Sequence, residues 1–226
     1  MDLPVWQALH EELNDKGLVV IAVSFDTRAP DESRPYIEAA NATHPSLLDP
    51  DHQVADLYNM INVPNAVWID EEGRIVRPAE TAGTGDEFRT MIDPGGIPPE
   101  DLTRMMKRRE RYLDAIRDWV AKGADSEFVW SPAEAARHAR LHTPDDALAF
   151  AHFRFGAWLA REGRHEESQA QLEEAKRLKP ESWAFKRQTW ELQEVGRAGT
   201  QVFWDAVKAL GDTPYYPAPD MAGLED

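Results

Sequence analysis

The side chains able to do chemistry are scattered along this chain, and the most reactive kind is missing. His138 and His142 stand one helical turn apart, a spacing at which two imidazoles can share a metal. No Glu follows His138 and no third ligand is evident nearby, so the pair reads as surface histidines. His152 and His165 add no constellation, and Asp145-Asp146 read as the start of a helix. Ser24, Asp26 and Asp49 fall near expected strand ends, where open sheets place ligands. Their spacing selects no Ser/His/Asp arrangement and no paired acid and base. Gly83-Thr84-Gly85 and Gly95-Gly96 do not join a strand to a helix with phosphate-loop spacing, and no Gly-Lys-Ser/Thr occurs. The 226 residues contain no cysteine, which excludes disulfides, thiolate ligands and a thiol nucleophile for this chain. The expectation is a protein with no catalytic residue of its own to assign, no metal and no cofactor.

The elements that would position such groups alternate in the front half. Leu3, Trp6, Leu9, His10 and Leu13 recur near helical spacing, with Pro4 suited to a first turn and Gly17 to a stop. Leu18 to Phe25 is a continuous apolar, β-branched run, as expected of a strand covered on both faces in a parallel sheet. A helix carrying Tyr36, Ile37 and Ala40 is predicted after Pro30. A short extended piece follows at Pro45 to Asp49, then a short helix at Val54 to Tyr58. Ala66 to Asp70, the turn Glu71-Glu72-Gly73, and Arg74 to Arg77 read as a strand, a tight turn and a returning strand.

Several of these blocks, in this order, carry a resemblance. They are Val19 to Asp26, Leu47-Leu48-Asp49-Pro50-Asp51, Ala55-Asp56-Leu57-Tyr58, Asn62-Val63-Pro64 and Trp68 to Ile75. Together they resemble the TlpA/ResA branch of thioredoxin-like proteins, related to the AhpC/TSA peroxiredoxins, over about the first third of the chain. The resemblance implies an α/β thioredoxin-like domain of thiol-disulfide oxidoreductase ancestry. It also implies that Val63 and Pro64 form a substrate-facing wall, with a cis bond before Pro64. The family's Trp-Cys-x-x-Cys motif and the strand carrying it would precede the helix at Leu3, and neither is present, so the expected domain is incomplete. A sheet lacking that strand has a central gap. The gap is filled by an upstream segment, the reading favoured here, by another chain, or by closure of the flanking strands on each other.

The rear half reads as helical. Pro78 to Pro99, with four glycines and four prolines, is expected to be a linker or long loop. From Glu100 a helix gathers Leu102, Met105, Met106, Tyr112, Leu113, Ile116, Trp119 and Val120 on one face. Arg104, Lys107, Arg108 and Arg111 form a basic stripe on the other. Ser131 caps a further helix, with Pro132 at its first turn and Glu134 three residues on. Gly156, Leu159, Gly163, Ser168, Leu172, Ala175 and Pro180 sit at the relative spacings of a tetratricopeptide repeat, and helices around Trp183 to Glu194 and Val202 to Leu210 extend it. Trp183, Trp190 and Trp204 read as core anchors. Thr213 to Pro219, with three prolines in six residues, should be extended.

The expected organisation is therefore an incomplete thioredoxin-like domain at 1–80, a linker at 81–99, and an all-α helical-repeat domain at 100–212. A tetratricopeptide-like repeat falls near 149–182, and a proline-rich tail at 213–226. Net charge is −16, of which −13 falls on residues 1 to 100, a poor surface for phosphate backbones. No apolar run nears the roughly 20 residues that span a bilayer, and Met1 to Pro4 do not resemble a signal peptide. An extracytoplasmic compartment follows only if a segment precedes Met1. Nucleic acid and membrane are excluded as partners. A protein or peptide bound through the helical domain is the expected partner, with self-association the other option. The function expected is that of a redox-derived but thiol-inactive protein, or alternatively a non-catalytic interaction adaptor.

Overall fold

The computed structural model describes residues 3–28, 31–92 and 96–224. Pro30, Pro94 and Gly95, invoked above as helix and loop signals, lie outside the described residues. The chain divides into two compact units, each assembled from two separated segments: Met1–Ile61 with His142–Gln193, and Asn62–Leu141 with Glu194–Asp226. By contact the chain divides at 61/62, 141/142 and 193/194, and the expected boundaries at 80/81 and 99/100 both fall inside the second unit.

Unit one begins with α1 (Leu3–Leu13), which buries Leu9 and Leu13 and stops at Gly17, whose φ of +97° suits glycine. Gln7 ties it down: its amide nitrogen donates to the Thr43 hydroxyl at 2.9 Å and its oxygen accepts from the Thr43 N–H at 2.8 Å. The apolar run 18–25 yields only a three-residue strand, β1 (Ala22–Ser24), paired in parallel with β2 (Ser46–Leu48). The expected cover on both faces is not found: Val19 is 59% and Ile21 56% exposed. Among the described residues β2 is the sole ladder partner of β1, and two short parallel strands have little to propagate pairing or to cover a face. Between and after them lie α2 (Arg34–Ala39) and α3 (Gln53–Leu57).

The later segment of unit one supplies α6 (Pro144–Arg161), α7 (His165–Leu178) and α8 (Trp183–Gln193). Helices α6 and α7 form a tight hairpin across Gly163. A Cβ on Gly156 would lie 2.7 Å from the Leu172 Cγ, and the Ser168 hydroxyl donates to the Gly156 carbonyl at 2.8 Å. Thr143 caps α6 in a reciprocal box with Asp146. The fully buried Lys179 pairs with that same Asp146 carboxylate, tying the end of α7 to the start of α6. Burial opposes ionisation of Asp146, but Lys179 and Thr143 outweigh it and hold the carboxyl at about 2.

The two segments of unit one are sewn together at α8. Gln188 accepts from both the N–H and the hydroxyl of Thr27, Arg28 pairs with Glu191 at 3.0 Å, and the Ile61 carbonyl accepts from the Ala184 N–H. The rings of Phe25, Phe153 and Phe185 surround His52, with centroids 5.4, 4.5 and 6.5 Å from its own.

Unit two holds an antiparallel hairpin, β3 (Asn65–Ile69) with β4 (Ile75–Thr81), as the sequence predicts, though β4 runs further. The stretch expected to be a loop is therefore partly ordered. It carries the end of β4 and a 3-10 segment at Asp86–Ile92, of which Asp86, Glu87, Phe88 and Arg89 are held by side-chain contacts within the unit. Next comes α4 (Pro99–Lys122), which buries Tyr112, Leu113 and Ile116 while Met106 near its start stays 66% exposed. Its basic stripe is spent locally: Arg104 pairs with Asp101, Arg108 with Glu87, and Arg111 donates to the Ala222 carbonyl. Helices α5 (Pro132–His138), capped by Ser131 as expected, and α9 (Gln201–Lys208) complete the unit. No helix among the described residues is long and apolar enough to cross a membrane.

The centre of unit two is polar. Arg77, 1% exposed, forms a two-point pair with Glu80, donates to the carbonyls of Phe128 and Asp220, and lies 4.1 Å from the Trp130 ring. Trp68 donates to the buried Tyr112 hydroxyl at 3.0 Å and stacks on Trp119.

Candidate functional site

Asn62, Val63 and Pro64 lead into β3, and the Val63–Pro64 peptide is cis. The turn is held from within: the Val63 N–H donates to the Asn62 side-chain oxygen at 2.9 Å, and the Pro64 carbonyl accepts from the Ala82 N–H at 3.2 Å. What lies against it is the chain's own tail. The Asn62 amide donates to the Tyr215 carbonyl at 3.1 Å, and the Tyr216 hydroxyl donates to the Val63 carbonyl at 3.1 Å. The Asp86 carboxylate accepts from the N–H groups of Tyr215 and Tyr216 at 2.9 and 2.7 Å. Phe88 packs on both tyrosines, and Phe203 on Tyr215. Arg89 gathers the carbonyl of Val207 near the end of α9 and those of Gly211 and Thr213 beyond it.

This turn and the tail against it hold hydrogen-bonding groups and aromatic surface. Nearby in unit two, burial pushes the Glu80 carboxyl up, with Arg77 pulling the other way, and burial together with the Glu80 charge pushes Tyr112 well above the usual phenol range. Both are packed groups serving the Arg77 network.

The residues singled out by spacing are spent on local structure. The Ser24 and Ser33 hydroxyls share a hydrogen bond at 2.6 Å, and Asp26 accepts from the Arg28 N–H. Asp49 accepts from the N–H groups of Gln53 and Val54, both at 2.7 Å, so it caps α3. His138 stacks on Trp130 and bonds Glu134 within unit two. His142 meets Asp56 within unit one, and His152 bonds Gln171 at 2.6 Å. Among the described residues no group of three or more metal-ligating side chains gathers. A cleft of about 470 Å³ in unit one is lined by Asp51, Gln53, Asp56, Leu57, Arg154 and Arg161. Its charges neutralise one another, Arg154 with Asp56 at 2.6 Å and Arg161 with Asp51 at 3.0 Å.

Spacing gave no sign of Asp86, Asn62 and Tyr216 acting together. The adjacent Tyr215-Tyr216 pair bracketed by prolines was the available signal, since a solvent tail seldom spends two aromatic residues without a surface to cover.

Residues 2–77 match the model of the AhpC/TSA family. No curated protein and no solved structure matches the chain. The N-terminal third is thus similar to thioredoxin-like redoxins, a likeness that supports redox ancestry for this segment, in a chain without cysteine.

Proposed function

We propose that this chain is a TlpA/ResA-type derivative of the thioredoxin-like redoxins that has kept part of the architecture and does no thiol chemistry with its own residues. The carrying observation is the family match over residues 2–77 in a chain with no cysteine. Thiol-disulfide exchange and thiol peroxidase chemistry both begin with a thiolate attacking sulfur or peroxide, and no other side chain supplies that electron pair at comparable rate. In this reading Val63 and Pro64 are the surviving substrate wall. With a dithiol reductant as electron source, the 226-residue chain should reduce neither a protein disulfide nor hydrogen peroxide above the buffer rate. Turnover above that rate overturns the reading.

A second reading, the adaptor, is favoured by one observation. Phe155 and Trp158 on α6 stand half exposed and stacked on each other at 5.9 Å, in a helix pair that resembles a tetratricopeptide repeat. An aromatic pair left in water at that position is the kind of anchor interfaces use. If the adaptor reading holds, a partner captured by the intact chain is lost when Phe155→Glu and Trp158→Glu are combined and folding is unchanged; undiminished capture rejects it.

A further inference from the structure

A segment reading Pro-Tyr-Tyr-Pro has few handles. Prolines at 214 and 217 carry no N–H, so from 214 to 217 the only backbone donors are those of Tyr215 and Tyr216. Both go to one acceptor, the Asp86 carboxylate. The carbonyl of Tyr215 is read by Asn62, that of Thr213 by Arg89, and the Tyr216 hydroxyl by the Val63 carbonyl. The Tyr215 ring, 2% exposed, is enclosed by Phe88 at 5.0 Å and Phe203 at 5.7 Å. The segment makes no strand ladder and no helix there; side chains of unit two read its backbone and its rings directly. The chain bends at Tyr215 and Tyr216, not extended as the three prolines suggested, and the bend turns both N–H groups to one side; the flanking prolines limit the entropy such a peptide loses on docking.

We propose that Asn62, Val63, Asp86, Phe88, Arg89 and Phe203 form a recognition groove for a bent, proline-bracketed Tyr-Tyr segment, with the chain's own tail as its tethered resident ligand. The groove stands on these contacts whether or not the front of the chain has redox ancestry. Tethering sets the terms of exchange. The tail leaves α9 at Lys208, so its effective concentration at the groove is on the order of millimolar. A free segment of equal intrinsic affinity must reach about that concentration to displace it. The groove is thus closed to weak competitors and opens when the tail is cut or outbid.

The test starts from the full chain, carrying a protease site placed directly after Asp212. It is folded intact, cleaved, and then titrated with fluorescently labelled peptide Thr213–Leu224, followed by anisotropy with circular dichroism alongside. The expected result is saturable one-to-one exchange. Tyr216→Phe in the peptide should weaken binding about fivefold through loss of one hydrogen bond, and Tyr215→Ala should weaken it about a hundredfold or more through loss of a buried ring. A cleaved chain that loses structure and regains it when peptide is added also supports the groove. Two results overturn it: a cleaved chain that stays folded and ignores the peptide, and one that unfolds and is not restored by it.

Discussion

Units one and two each bury a basic side chain where distant stretches of chain meet, and the chemistry around the two is opposite. In unit one it is His52, fully buried among three phenylalanines and poor in hydrogen bonds, the Phe25 backbone being too weak a partner to keep the ring protonated. In unit two it is Arg77, equally buried but saturated by Glu80, two carbonyls and the Trp130 ring. A buried guanidinium must bring partners because it cannot shed its charge, whereas an imidazole can stay neutral and do without them. One buried centre therefore depends on its partners and the other on proton activity.

Removing the partners' centre should cost most. Arg77→Met strands Glu80 and two carbonyls, and unit two should lose about 3–5 kcal/mol in denaturant unfolding. Adding Glu80→Gln should recover part of that; a single variant costing under about 1 kcal/mol would mean the network is ornamental.

The pH response separates the two centres next. Burial lowers the His52 pKa to about 3; Arg154 adds to this, while the Phe25 backbone and Asp51 act the other way without offsetting it. The charged groups on the elements around the ring are otherwise engaged: Asp26 with the Arg28 N–H, Asp49 with α3, Asp56 with Arg154, Lys186 over Trp183, and Glu191 with Arg28. Unfolding releases an imidazole of pKa about 6.5 that binds a proton first, so the contribution is complete above pH 6.5 and drains as pH falls toward 3. Between pH 6.5 and 4.5 this drains on the order of 2 kcal/mol from unit one. Asp146, held at about 2, contributes above its unfolded value and is lost only below pH 3.8, outside that window. Glu80 has the reverse sign: its raised pKa gives stability fully present below the unfolded value and lost as pH rises through the folded one. Acidification to pH 4.5 should thus weaken unit one and spare or strengthen unit two. Unfolding followed at several pH values, with His52→Phe flattening the slope of unit one, checks this; parallel slopes in both units would erase the contrast.

Smaller effects test whether each unit fails alone. Gly156→Ala forces a Cβ against Leu172 and should cost unit one about 1–3 kcal/mol in thermal or urea unfolding. Thr143→Ala removes one half of the capping box and should cost about 1 kcal/mol, again without moving the transition of unit two.

Much of the local structure was legible because local signals cause it. Gly17, Ser131 and Asp145-Asp146 mark helix ends in the sequence and in space. The cis peptide at Pro64 agrees with what the family resemblance implied. Long-range structure left fewer traces. The run 18–25 carries the signature of a covered strand, but cover depends on neighbours, and pairing shrank to three residues. His52, Arg77 and Lys179 follow no periodicity, since their burial is set by residues about a hundred, fifty and thirty positions away or more. The tail's docking was hidden for the same reason: Asp86 and Tyr215 are 129 positions apart.

The three crossings of the chain between units, at 61/62, 141/142 and 193/194, bear on how the protein is born. The first 61 residues leave the ribosome with their seam open, and the helix that closes it ends at Gln193. At 5–20 residues per second the wait is on the order of ten seconds. Through that interval Phe25 and a protonatable His52 stand in the open beside Val19 and Ile21, which stay exposed even in the finished unit.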